Sequence, residues 1–321
     1  MHLTGTSIQP TAIKDILTGI FYSMLIIIIM YTIPVVGIFA WILLPMPVLF
    51  YRLKIGRNYS CIIMVVSMTV LMSLTSNFAF NAFYFGSLLM TGFLLGECIE
   101  KHLSIEKIMA YTCLGLFAAS MVFLVIYTAT QSQGFEQLIS NYISRYQTIS
   151  AQLFSDLTQL YPDIALDRQL FERTSTLFMI SFPGIIITSY LTMILLNILF
   201  IKRLLKKNKI TIQSLENLNQ WRAPEKLVFS LISVSVLLLL PVGALKILFL
   251  NCLIILMSVY FFQGIAVVSF FFQKKGVPFS IKSFFYILIT IQPLFMLLVI
   301  GCGLFDTWIN FRRLDTTIEQ K

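Results

Sequence analysis

The sequence predicts an all-α, polytopic integral membrane protein: a helical bundle of about nine transmembrane helices with an extracytoplasmic amphipathic helical segment. Three observations carry that expectation. The 321 residues are 58% hydrophobic and 12% charged, about half the charged share of a soluble domain. Apolar runs of roughly 20 residues, the length that crosses a bilayer as a helix, recur from end to end. The one long polar segment, 131–176, carries Phe135, Ile139, Tyr142, Tyr146, Ile149, Leu153, Leu157 and Leu160 at steps of three and four, one stripe on a helix.

The orientation is set by the span from Phe178, which runs directly into Lys202, Arg203, Lys206, Lys207 and Lys209. Cations resist translocation, so that end is expected to be cytoplasmic. Before it, Ile16 to Ile33 is a first span and Val35 to Tyr51 a shorter second one, joined at Pro34. Ser60 to Gly96 is too long for one crossing and divides at its polar weak point, Thr75 to Asn77 with Asn81 close by. Ile108 to Thr130 is a fifth span. The amphipathic stripe stops at Pro162, and Asp163 or Asp167 is placed to cap the helix that becomes the sixth span, with a kink at Pro183-Gly184. Leu227 to Ala244, Ile247 to Phe272 and Phe284 to Leu304 follow. Threaded with the N-terminus inside and the C-terminus outside, 16 of the 23 cations fall on inner segments and 7 on outer ones, the bias of a chain in a bacterial cytoplasmic (inner) membrane. In this threading Trp221 to Glu225 lies at the inner face and Asp306 to Arg312 at the outer one.

Several function classes are excluded. The net charge of +9 belongs to the cytoplasmic loops of a membrane protein, so no nucleic acid is expected as a partner. The five cysteines, Cys61, Cys98, Cys113, Cys252 and Cys302, form no C-x-x-C pair and read as small apolar residues. His102 and Glu106 have the i, i+4 spacing that can hold a metal, but only one histidine is available there and Lys101 and Lys107 are interleaved, so no metal and no cofactor is expected. No nucleophile elbow, zinc-protease, P-loop or dinucleotide motif is present, and the chain reads as non-enzymatic. The N-terminus lacks a cleavable signal.

The remaining candidates are polar residues in apolar context, where an unpaired group is costly. Asn77, Asn81, Asn251, Gln263 with Gly264 beside it, and Gln292 are the candidate ligand-binding set, Gln263 foremost because the glycine is expected to leave space beside the amide; like Asn197, each also suits hydrogen bonding between helices. Glu97, just past Gly96, is a candidate proton or ion carrier. Gly92 and Gly96 form a small-residue face for helix packing. Trp221, Arg222, Pro224 and Glu225 combine an interfacial aromatic, a cation and a helix-starting proline, and Asp306, Trp308 and Arg312 form a second interfacial or docking group. Asp306 and Arg313, seven apart, would share a helix side.

The runs Pro183-Gly-Ile-Ile, Leu196-Asn197, Lys202-Arg-Leu-Leu-Lys, Trp221-Arg-Ala-Pro-Glu, Tyr260-Phe-Phe-Gln-Gly-Ile-Ala-Val-Val and Gly303-Leu-Phe-Asp-Thr-Trp-Ile-Asn-Phe-Arg resemble the YybS-like family of bacterial polytopic membrane proteins, a domain of unknown function numbered 2232. The likeness covers most of the chain and is most specific after Phe182. That family is distantly similar to the substrate-binding S components of energy-coupling-factor transporters, which enclose a small ligand in six helices. The resemblance implies a six-span S-component-like unit over 1–209 including the outer segment 131–176, a cytoplasmic amphipathic linker over 210–226, and a three-span unit over 227–321. It also implies a transport-related or small-ligand-binding protein. Gly19-x-x-x-Ser23 departs from the alanine pair of S components, and the outer helix and the last three spans are additions. The second reading is a non-enzymatic scaffold or assembly factor for envelope proteins, with other membrane proteins as partners beside the lipid bilayer. Amides converging on one cavity favour the first reading, and amides paired off between helices favour the second.

Overall fold

A computed structural model describes residues 10–74, 78–130, 134–208, 212, 218–240, 243 and 245–313. The described residues form helices and connecting turns only. In order these are α1 (Pro10–Thr32), α2 (Pro34–Ala40), α3 (Pro45–Ile55), α4 (Arg57–Leu74), α5 (Phe78–Glu100), α6 (Ile105–Thr130), α7 (Phe135–Leu160), α8 (Arg168–Lys207), α9 (Lys226–Leu239), α10 (Leu245–Lys274), α11 (Phe279–Ile291) and α12 (Pro293–Ile309). Short 3-10 turns lie at Trp41–Leu43 and Leu218–Gln220.

Most boundaries follow from local chemistry. Helix α4 is described to Leu74 and α5 from Phe78; the expected division of the long apolar run, at Thr75 to Asn77, lies outside the described residues. Pro34, Pro45 and Pro293 stand in the first turn of α2, α3 and α12, where a missing N–H costs nothing. Asp167 caps α8: its Oδ1 accepts from the backbone N–H of Gln169 at 2.8 Å and Leu170 at 3.2 Å. The amphipathic stripe is one 26-residue helix, α7, and none of its residues is buried.

Among the described residues, five stretches are long and apolar enough to cross a membrane: Ala12–Thr32, Val35–Ile55, Ile105–Thr130, Arg168–Lys207 and Leu245–Lys274. A sixth is reached if α11 and α12, between which the chain turns by 103°, are one broken span. The expected ninth span, Phe284 to Leu304, is therefore two helices meeting at Gln292-Pro293. The seventh, α9, is only 14 residues, or about 21 Å.

The helices group into two compact units. The first comprises 1–135 and 190–216, the second 136–189 and 217–321. This division differs from the six-plus-three arrangement expected from the sequence, because α7 and the first half of α8 group with the C-terminal helices. The core of the first unit is Ile16, Ile27, Leu44, Val48, Tyr51, Ile63, Leu71, Phe85, Leu88, Leu89 and Met193. A smaller core in the second joins Val228, Leu231, Tyr260 and Ile300.

Candidate functional site

Each unit holds one buried charge cluster. In the first, Arg52 ends α3 and is 1% exposed. Its Nη2 donates to Glu97 at 2.5 Å and to Glu100 at 2.7 Å, both from the last turns of α5. Phe93, one turn earlier, stacks with its ring centroid 4.4 Å from the guanidinium. Two glycines let α3 come this close. A Cβ at Gly96 would stand 2.5 Å from the Arg52 stem, and one at Gly92 would strike the Pro45 carbonyl. Lys101 and Arg57 reach Glu97 at 3.3 and 3.9 Å. Burial opposes ionisation of Glu97, but the Lys101 hydrogen bond and the charges of Arg52, Arg57 and Lys101 outweigh it and hold its carboxyl below the usual glutamate range. That suits a fixed anion better than a proton carrier near neutral pH.

The second cluster centres on Asp306, which has no exposure. Arg312 Nη2 donates to Asp306 Oδ2 at 2.6 Å. Gln263 Nε2 approaches the same oxygen at 3.4 Å and Thr307 Oγ1 at 3.5 Å, while Arg222 Nε stands 3.9 Å away. Arg222 also donates to Asn310 Oδ1. Arg312 Nη1 donates to the carbonyls of Asn219 and Trp221, and Gln263 Oε1 accepts from the Ala223 N–H. Asp306 Oδ1, Arg312 Nε and Trp221 Nε1 are buried without a hydrogen-bond partner.

This geometry corrects the expectation that Trp221 to Glu225 and Asp306 to Arg312 occupy opposite faces: they are hydrogen-bonded to each other. Arg312, six residues on, pairs with Asp306, a contact that the shared helix side expected for Asp306 and Arg313 did not foresee. The reason is that α12 stops at Ile309 and Asn310 adopts a left-handed conformation (φ 49°, ψ 55°), so helical spacing no longer applies and the chain turns Arg312 back onto Asp306. Neither Asp306 nor Arg312 presents an interfacial surface. Trp308, Pro224 and Glu225 are exposed.

The segment that leads into α9 explains part of the cluster. Residues 221–224 are not helical, so their backbone groups need outside partners wherever water is scarce. Gln263 and Arg312 supply them. Gln263 lies 17 residues after Lys246, about 26 Å along α10. With Lys246 at one interface, the cluster is near the opposite edge of a hydrocarbon layer about 30 Å thick.

The other candidate amides are separated from one another. Asn251 lies between two groups of α8 that would otherwise bond to each other. Its Oδ1 accepts from the Gly184 N–H at 2.5 Å and its Nδ2 donates to the Ile180 carbonyl at 2.8 Å, so the amide is inserted into the helix ladder beside Pro183. Asn197 donates to Ile42 and Met193 carbonyls. Gln292 is exposed at the α11–α12 break. Asn77 lies outside the described residues, as does the side chain of Asn81, which falls within α5. Gly264 does not leave room beside Gln263. A Cβ there would strike the Val299 carbonyl, and one at Gly303 the Tyr260 carbonyl, so this glycine pair sets the α10–α12 approach.

Sequence reading missed Arg52 as a buried cation. Its signal was present: an arginine ending a helix rich in buried apolar residues, with two carboxylates three apart after a glycine face. Among the described residues no group of three or more His, Cys, Asp or Glu side chains could hold a metal ion.

The family described as Predicted membrane protein (DUF2232) matches residues 20–307, and the chain belongs to that family. No curated protein and no solved structure matches.

Proposed function

We propose that this member of the family is a transport-type membrane protein that binds a small polar molecule at the Gln263–Asp306–Arg312 cluster. The observation that carries the reading is that two interrupted elements, the extended lead-in to α9 and the broken pair α11–α12, contribute to one buried cluster that keeps an unpartnered carboxylate oxygen and unpartnered N–H donors. Interrupted membrane helices expose backbone and polar groups inside the protein, which is how transporters build ligand sites. The likeness to S components supports the same class. The first unit offers the contrasting case: Arg52 also keeps Nε and Nη1 without partners, but it is neutralised by two carboxylates, neither of which leaves a buried oxygen unpartnered.

The scaffold reading is favoured by a different observation. Asn251 is used up between α8 and α10, and Asn197 bridges from α8 to the Ile42 carbonyl through its Nδ2, so the two amides have separate partners instead of converging on a cavity. Mass spectrometry of material that co-purifies in mild detergent separates the two readings. A stoichiometric metabolite supports the first; envelope proteins with no metabolite, released by Trp221→Ala, overturn it in favour of the second.

A further inference from the structure

We infer that α11 and α12 form a re-entrant hairpin, entering and leaving the membrane on the side of the Lys274–Lys275 turn, and that the Asp306 cluster is reached from that side. The direction of α12 comes first. Gly303 packs against Tyr260 and Gly264 of α10. Nine residues past Gly303, Arg312 donates to the Asn219 carbonyl; nine past Gly264, Gln273 accepts from the Asn219 side chain at 2.7 Å. The two helices therefore advance together, and α12 ends beside the Lys274 end of α10.

That same end is where α11 begins, because only residues 275–278 separate it from α10. The pair thus leaves and regains one level. Its legs of 13 and 17 residues are about 20 and 25 Å long. A turn of 103° opens them at 77° (180 less 103). Inclined equally, they reach depths of about 15 and 20 Å, well short of a hydrocarbon layer of about 30 Å.

The apex is built for lipid. Ile291 and Leu294, on either side of the break, are 73% and 61% exposed, a poor arrangement in water. The break also leaves few orphan donors: Gln292 N–H reaches the Leu288 carbonyl at 2.9 Å, Met296 N–H reaches the Gln292 carbonyl at 3.2 Å, and Pro293 has no N–H to satisfy. Finally, the hairpin carries Arg312 and Arg313 to the cation-rich side. Of the 23 cations, 18 then fall on inner segments against 16 before, which is the stronger form of the positive-inside bias.

The hairpin stands on geometry and charge; that a ligand enters from this side rests on the proposed function. The test places one protease-cleavable tag in the Gly276 turn and, in a separate chain, one after Lys321. Cleavage of both in inverted vesicles and of neither in intact spheroplasts is the expected result. Cleavage of the C-terminal tag only in spheroplasts overturns the hairpin, whether or not a metabolite co-purifies. Gln292→Cys in a chain whose five cysteines are serine gives a second readout, with an impermeant maleimide expected to label it from neither face and labelling from the face opposite Gly276 overturning the inference. A hairpin upheld with no co-purifying metabolite overturns only the transport reading.

Discussion

Arg52 in the first unit and Asp306 in the second are both removed from solvent, yet their surroundings differ in kind. Arg52 meets Glu97 and Glu100, whose side chains are 23% and 38% exposed, so water shares the cost of those charges. Asp306 meets Arg312 with neither side chain exposed. The first cluster fastens the ends of two regular helices. The second satisfies non-helical backbone and still leaves donors and an acceptor unused. Both arginines keep buried nitrogens without a partner, Arg52 at Nε and Nη1 and Arg312 at Nε; only the second cluster also leaves a buried carboxylate oxygen unpartnered and sits where backbone bonds are missing.

The largest expected effect breaks the second cluster. Asp306→Ala leaves Arg312 buried without its counter-ion and is expected to cost about 3–5 kcal/mol, read as loss of thermal stability in detergent. Arg52→Ala, whose partners are partly hydrated, is expected to cost less, about 1–3 kcal/mol; a cost equal to that of Asp306→Ala would erase the distinction. Next come the glycines. Gly264→Ala and Gly303→Ala each drive a methyl into a carbonyl of the facing helix, with an expected cost of about 1–3 kcal/mol or more. Gly96→Ala meets Arg52 side-chain carbons and not backbone, and is expected to cost less than the two backbone clashes, about 1 kcal/mol. Equal losses at Gly96 and Gly303 would show that backbone approach does not govern the second unit.

A smaller effect is expected for Asn251→Ala. Gly184 N–H and the Ile180 carbonyl can then re-form the helix bond that the amide interrupts, so the loss should be about 1 kcal/mol; a far larger loss would mean that Asn251 does more than bridge α8. The smallest effect concerns pH. Because the Glu97 carboxyl is held below its usual range, its contribution is fully present above the unfolded value near about 4.3 and fades as pH falls through the lower folded value. Stability of the wild type should decline on acidification below that point, and Glu97→Gln should flatten part of the decline. An unchanged acid profile in the variant would contradict the assignment.

Much of the fold was legible because local chemistry fixes it. The steps of three and four from Phe135 to Leu160 are α7, and Asp167 is the cap of α8. The candidate site was less legible. Gln263, Trp221, Arg222, Asp306 and Arg312 were each identifiable as unusual, but their grouping depends on Asn310 turning the chain and on the break at Pro293. Periodicity sees neither, since a proline inside an apolar run reads equally as a kink, a helix start or a hairpin apex. Gly264 shows the reverse error: a glycine beside an amide suggested space, whereas the missing side chain is filled by the backbone of α12.

The central claim is that the second cluster, where acid and base are both removed from water beside non-helical backbone and a carboxylate oxygen is left without a partner, is the ligand site and the first cluster is not. The most direct test extracts small molecules from purified wild type, Asp306→Asn and Arg52→Gln chains and measures them by mass spectrometry against folded protein. The account predicts a metabolite bound to wild type and Arg52→Gln and lost from Asp306→Asn. Retention in Asp306→Asn, or loss from Arg52→Gln alone, would contradict it.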